Sequence, residues 1–246
     1  MFTPTHFIWL AVILASIAAA LAVTRRLGVP HATVQKAVFI ILMILKIFHL
    51  SLSMKELPDG GMVINQTQLS FHLCSLMIYA VILINVIKNE RIIKVIKSFM
   101  VPCMLIGAAM ALLIPTEGVD PAVPRVWQFM LIHGVLVFYG LYLALIERVD
   151  MSFKAYLTNL KLLLAVVMVA FLMNSVLEQY ETNFMFLRKP PMEGLPVLNL
   201  NNGWFVYFIS LAIVACLLLL AVHLIFILCK SKKKARRNKR SKSQTT

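Results

Sequence analysis

Apolar residues along this chain come in long, nearly unbroken stretches, separated by short segments that carry most of the charge, proline and glycine. Seven stretches have roughly the 17–25 residues needed to cross a hydrocarbon core about 30 Å thick. They run approximately over residues 5–23, 37–53, 69–87, 98–114, 126–146, 156–177 and 204–229. The second is interrupted by Lys46 and His49, and the sixth has the least defined start. The pattern predicts an all-α fold: a polytopic membrane helical bundle with seven transmembrane helices. "LPDGG" (57–61) and "PTEGVDPAVP" (115–124) carry turn chemistry between spans. The connection from Glu178 to Gly203 is long and partly apolar, so it lies on the membrane or folds back over the bundle. With no internal repeat and no soluble domain, residues 1–229 read as one transmembrane domain. Residues 230–246 read as a basic, disordered cytoplasmic tail.

Composition agrees. The chain is 61% hydrophobic and 14% charged, against about 45–50% and about 25% in soluble domains. The first apolar run is followed by the basic segment "TRRLGVPHA", whereas a signal peptide carries its basic residues ahead of the apolar stretch. It reads as a retained first helix. Cys74, Cys103, Cys216 and Cys229 all fall in or at the ends of apolar runs without a CxxC pair, which argues against a disulfide framework.

Charge orients the bundle. Arg25, Arg26 and Lys36, then Lys88, Arg91, Lys94 and Lys97, then Arg148, Lys154 and Lys161 occupy alternate connections, on the same side as the tail from Lys230. The other side has only Lys55, Arg125, Arg188 and Lys189. Because cytoplasmic loops collect Lys and Arg, the N-terminus is expected outside and the C-terminus in the cytoplasm. Trp9, Trp127 and Trp204 then all reach the outer interface, where indoles concentrate. The net charge of +14 comes largely from the tail. Beside a membrane, its natural partner is anionic lipid headgroups, at about 1 kcal/mol per basic residue. A stop-transfer and orientation signal is the plainer reading. The tail has no interleaved aromatic residues for base stacking, which argues against nucleic acid.

Ionisable groups inside spans are costly and mark interior or functional positions. Under this orientation Lys46 and His49 lie in the outer half of the second span. His72 and Cys74 lie in the first turns of the third, His133 about two turns down the fifth, and Asn174 and Glu178 at the outer end of the sixth. Four helices thus bring polar groups to one depth. His223, near the inner end of the last span, reads as structural. Lys46 and His49 share a face at i,i+3, as do Asn174 and Glu178 at i,i+4. His72 and Cys74, two apart, do not share one on a regular helix. A nucleophilic Cys74 therefore takes its base from another helix, with His133 the first candidate and His49 the second. His72 then orients a partner or holds the helix end.

A thiol becomes a nucleophile when a neighbouring imidazole or cation favours its thiolate. Such a cysteine takes an acyl chain as a thioester and passes it to an alcohol, with histidine moving the proton and Lys46 or Asn174 stabilising the oxyanion. Plainer readings stand beside this one. The cysteine is a small hydrophobe, and the histidines and Asn174 are hydrogen-bonding glue between helices. The cluster can also line a proton or solute pathway through Lys46, His133 and Glu178. A zinc or copper site lacks HxxxH or CxxC spacing, so no metal or other cofactor is expected.

Three segments resemble those of a known family. "LSFHLCSL" (69–76) resembles the His-Leu-Cys motif heading a middle helix in YwaF-type bacterial integral membrane proteins. "LIHGVLVFYGLYL" (131–143) is similar to their second histidine segment, and "NSVLEQYETNFMFLRKPP" (174–191) to their Asn…Asn-aromatic-x-aromatic-Leu…Lys-Pro segment. The resemblance runs over roughly residues 35–225 and extends remotely to animal transmembrane protein 164, regarded as a cysteine-dependent acyltransferase on ether phospholipids. It implies a multi-pass protein of a bacterial plasma membrane that remodels lipids. Cys74 would be the key cysteine. Taken with the polar cluster, the catalytic candidates are Cys74, His133, His72 and His49, and the substrate-binding candidates are Lys46, Asn174, Glu178 and Asn183. The partner the resemblance implies is a phospholipid or other acyl lipid. Ser75 stands where an acidic residue is common in bacterial relatives, and Lys46 is unusual among them. Oligomeric state is not legible.

Overall fold

The computed structural model describes residues 2–56, 61–69, 71–192 and 194–243, with Glu56 and residues 230–243 described for their backbone alone. Seven helices form: α1 (Pro4–Arg26), α2 (His31–Leu52), α3 (Leu73–Val86), α4 (Glu90–Leu113), α5 (Pro124–Tyr142), α6 (Phe153–Val176) and α7 (Trp204–Ser243). A single π turn, Leu143–Glu147, continues α5. Six of these helices are long and apolar enough to cross a membrane, and α3 is a shorter apolar helix. The chain is thus a multi-pass membrane protein with an all-α fold. The backbone of α7 runs helically into the basic tail, whose side chains lie outside the described residues, as does most of the "LPDGG" turn.

Local chemistry sets the helix starts. Thr3, Asn89 and Ser152 each accept a backbone N–H in the first turn of α1, α4 and α6, as N-caps do. Pro4 and Pro124 open α1 and α5, where a missing N–H costs nothing. Between α1 and α2, Gly28 sits at φ +59, a left-handed position that suits a residue without Cβ.

Helix α3 differs most from expectation. It has 14 residues, about 21 Å at the helical rise, because the helix starts only at Leu73, after Leu69 and Phe71. His72 is its N-cap, in extended conformation. The angular argument separating His72 from Cys74 therefore does not apply. The hairpin before α3 was not legible either. Strands β1 (Met54–Glu56) and β2 (Met62–Ile64) pair antiparallel, with Lys55 opposite Val63.

Helix α5 is the centre of the bundle. It packs against α1, α2, α3 and α4, while α6 and α7 lie against α4 and each other. His6, Trp9, Ile13 and Ile17 form the buried stripe of α1. Large apolar residues outside the core, such as Ile44, Ile47, Leu164, Leu172 and Leu217, are exposed, as lipid-facing positions are. Successive helices alternate in direction. At the hairpin end, Arg125 of α5 donates to Leu52 O and Ser53 Oγ, and Trp9 of α1 donates to Val119 O. At the tail end, Ser98 of α4 donates to Asp150 O, and Gln35 of α2 donates to Ile84 O of α3. Trp9 and Trp127 meet edge to face at the hairpin end, with ring centroids 4.6 Å apart, and Trp204 lies at that end too.

The α4–α5 seam depends on Gly140, where an added Cβ would lie 3.1 Å from Met104 Cβ and 3.3 Å from Leu105 Cδ2. Overpacking of this kind costs about 1–3 kcal/mol. Gly140→Val is therefore expected to lower the unfolding midpoint in detergent. A midpoint equal to that of the parent protein would contradict this seam.

Candidate functional site

The hairpin end gathers polar residues from four helices. Cys74 is the second residue of α3, partly buried and packed against the main core. Its sulfur lies against the amides of Cys74 and Ser75 and the Ser75 hydroxyl, and Lys46 of α2 acts on it electrostatically. Behind it, Gly107 of α4 packs on the head of α3: a Cβ there would make ordinary contact, 3.7 Å from the Cys74 nitrogen. The thiol thus sits at a helix N-terminus, where backbone N–H groups and the helix dipole favour negative charge.

Three imidazoles lie at the same end of the bundle on separate elements. His133 of α5 is buried, and its Nδ1–H donates to Phe129 O at 2.7 Å. A carbonyl can only accept, so in the neutral ring Nε2 carries the lone pair. His49 of α2 donates through Nε2 to Gln68 O at 3.3 Å, and Gln128 of α5 also hydrogen-bonds to its ring. His72 shares the tautomer of His49 and is opposite to His133, since its Nδ1 accepts the Met185 N–H at 3.4 Å. His133 interacts electrostatically with both His72 and His49. The three rings therefore form one group, joined to Cys74 through the head of α3 and through the Lys46–His49 face of α2. No hydrogen bond between Cys74 and an imidazole is present among the described residues. Nor do three or more His, Cys, Asp or Glu residues there stand where they could hold a metal ion.

The connection after α6 folds over the head of α3. Phe184 is fully buried and Leu187 nearly so, forming a second core with Ala170, Leu69 and Phe71. Asn174 of α6 holds this cap: its Nδ2 donates to Phe184 O at 3.0 Å, and its Oδ1 accepts the Phe184 N–H at 2.8 Å. Met185 and Phe186 both have positive φ, near 55°. Such backbone persists only where its surroundings fix it. Here Tyr207 donates to Phe186 O and Trp204 donates to Leu187 O. His72 packs on Phe184 and Phe186, with ring centroids 5.8 and 5.3 Å away.

The remaining predicted residues lie on the rim. Helix α6 ends at Val176, so Glu178 leaves the face of Asn174 and forms an exposed ion pair with Arg188. Asn183 ties the next turn, accepting the N–H groups of Arg188 and Lys189 and donating to Lys189 O. A groove of about 310 Å³ runs between Phe171, Asn174, Ser175, Glu178, Arg188 and Trp204, on the outer side of the cap from Cys74. His223 is at the tail end, buried, donating to Met151 O and facing the Asn159 amide. Sequence reasoning passed over Gln128 and Arg125. Gln128, a buried amide in the apolar run "WQFMLIHG", was a legible signal. Arg125, which ties off the carboxyl end of α2, was read only as loop charge.

Asn174→Leu removes both ties to Phe184, at a cost of roughly 2 kcal/mol. Faster proteolytic cleavage within residues 178–191 of the purified variant is the expected result; a cleavage rate unchanged from the parent would contradict the clasp.

Comparison with known proteins gives one match. The sequence model described as the TMEM164 family matches residues 1–223. No curated protein and no solved structure matches the chain.

Proposed function

The chain belongs to the TMEM164 family, and we propose that it is a membrane-embedded acyltransferase that remodels phospholipids with Cys74 as nucleophile. The observation that carries the reading is the setting of Cys74. A thiol at the second position of a helix has two amides, a hydroxyl and a lysine beside it, the groups that would stabilise a thiolate against the burial that opposes it. The site is enclosed, so any thiolate depends on those donors.

In the first half-reaction the Cys74 sulfur attacks the acyl carbonyl of a lipid ester. A C–S bond forms, the C–O bond breaks, and the lysolipid leaves as an alcohol. The thiol proton passes to Nε2 of His133, directly or through the neighbouring rings, and is returned to the departing oxygen. In the second half a different lipid alcohol attacks the thioester, gives its proton to the same imidazole and restores the thiol. Lys46 and the amides of the first turn of α3 are the candidates for holding the oxyanion. Asn174, His72 and Asn183 act by keeping the cap over the site. The groove beside Glu178, Arg188 and Trp204 is where a headgroup would rest.

The basic connections and the tail lie at the opposite end of the bundle from the hairpin. The positive-inside rule then supports a cysteine near the outer leaflet of a plasma membrane, with the tail against anionic headgroups inside, and the motif resemblance supports a bacterial one. A non-enzymatic reading, in which the same cluster binds a small solute or a proton, draws on the electrostatic interaction of His133 with His72 and His49.

Reconstituted in vesicles with isotopically labelled phospholipid, the protein is expected to exchange acyl chains, and Cys74→Ala to abolish the exchange. Full exchange in that variant would reject the nucleophile; ligand-dependent stabilisation that survives Cys74→Ser would favour the solute-binding reading. A thiol-reactive acyl probe is expected to label Cys74 ahead of Cys103, Cys216 and Cys229. Lys46→Met is expected to slow that labelling while Lys46→Arg preserves it, and equal rates in both would remove Lys46 from the site.

A further inference from the structure

The Glu178–Arg188 ion pair lines two hollows at once. One is the groove of about 310 Å³ against α6 and α7, whose walls include the exposed apolar rings of Phe171 and Trp204. The other, of about 420 Å³, is walled by Glu181, Thr182, Asn183 and Lys189 of the connection that follows α6. The pair therefore stands where a partly apolar hollow meets a polar one. The connections at the hairpin end carry four basic residues, Lys55, Arg125, Arg188 and Lys189, and two of them stand at this junction.

The fold does not depend on the pair. Asn183 holds the turn by accepting the N–H groups of Arg188 and Lys189, and Asn174 holds Phe184. The Glu178 side chain is 70% exposed and that of Arg188 38%, and an ion pair this open to water adds little stability. What the pair does is occupy Arg188. A guanidinium is a planar fork that takes a carboxylate or a phosphate by the same two-pronged geometry. Glu178 presents its carboxylate to that fork from the first residue of the short turn after α6.

We propose that Arg188 binds the phosphodiester of a lipid headgroup and that Glu178 is an internal competitor for it, an autoinhibitory contact released when the lipid enters. The glycerol and the upper chains lie along Phe171 and Trp204, and the phosphate replaces the Glu178 carboxylate on Arg188. The rest of the headgroup enters the polar hollow beside Lys189. At the headgroup depth of a bilayer, the phosphodiester is the anion that comes attached to apolar chains, which is the combination these two hollows fit. The Glu178 carboxylate turns to water, as its exposure allows. The inference rests on the acyl-transfer reading for the presence of a lipid at this end, and adds how that lipid is held and what must yield to admit it.

The full chain carrying Cys74→Ala, in non-ionic detergent, is titrated with soluble dihexanoylphosphatidylcholine and followed by tryptophan fluorescence, since Trp204 lines the groove. Arg188→Gln is expected to weaken binding about tenfold, as loss of a hydrogen bond to a charged group does. Glu178→Gln is expected to tighten it several-fold by removing the competitor. Both variants break the same ion pair, so a pair that is only structural moves the two affinities in the same direction, and that result would overturn the proposal. So would equal binding of dihexanoylglycerol, which lacks the phosphate. Inorganic phosphate is expected to bind far more weakly; an affinity equal to that of the phospholipid would assign the site to free anions and overturn the lipid. Binding is read here apart from transfer. Opposite shifts in the two variants with no acyl exchange by the parent protein would reject the acyl-transfer reading alone; exchange by the parent without those shifts would reject this inference alone.

Discussion

Backbone in a bilayer has no water to fall back on, so every N–H and C=O that leaves a helix needs a partner supplied by the protein. This constraint organises the hairpin end. Arg125 closes the carboxyl end of α2, the Asn174 amide pairs with both polar groups of Phe184, and Asn183 serves Arg188 and Lys189. Trp204, Tyr207 and His72 take the next groups along the same loop. The polar side chains that look anomalous in an apolar sequence are largely those that let the chain turn over the head of α3 and still bury Phe184.

The same constraint shapes the chemistry. A helix that begins beneath such a cap presents its first amides toward the bundle rather than to solvent. Cys74 is held there, with Ser75 beside it and Lys46 facing it from α2. Fixed dipoles in a dry site act without having to reorganise, which is what a developing oxyanion needs. The cap and the proposed nucleophile therefore form one unit. His72 belongs to both: it ends the extended segment before α3 and receives the N–H of Met185.

Most of the fold was legible because bilayer thickness forces the length of an apolar run; α1, α2, α4, α5, α6 and α7 all formed where hydropathy put them. The start of α3 was not. Leu69 and Phe71 lead straight into the apolar run, but Phe71 packs on Phe184 and His72 caps, and hydropathy does not separate those uses. Three-residue strands and the π turn at Leu143–Glu147 leave no periodic trace. Lys46, His49, His72, Cys74, His133 and Asn174 do converge at one end, as alternating helix direction implied. Their pairings depend on the tautomers and on an irregular loop, which spacing does not encode. Glu178 illustrates this: the helix ends two residues before it, and it turns outward to Arg188.

The proposed chemistry requires the Cys74 sulfur to carry an acyl group during turnover. Protein in vesicles of labelled phospholipid, quenched in acid and digested, answers this by peptide mass spectrometry. The Cys74 peptide is expected to carry the mass of the labelled acyl chain, released by neutral hydroxylamine as a thioester is. A preparation that exchanges acyl chains while its Cys74 peptide stays unmodified under the same quench would contradict it.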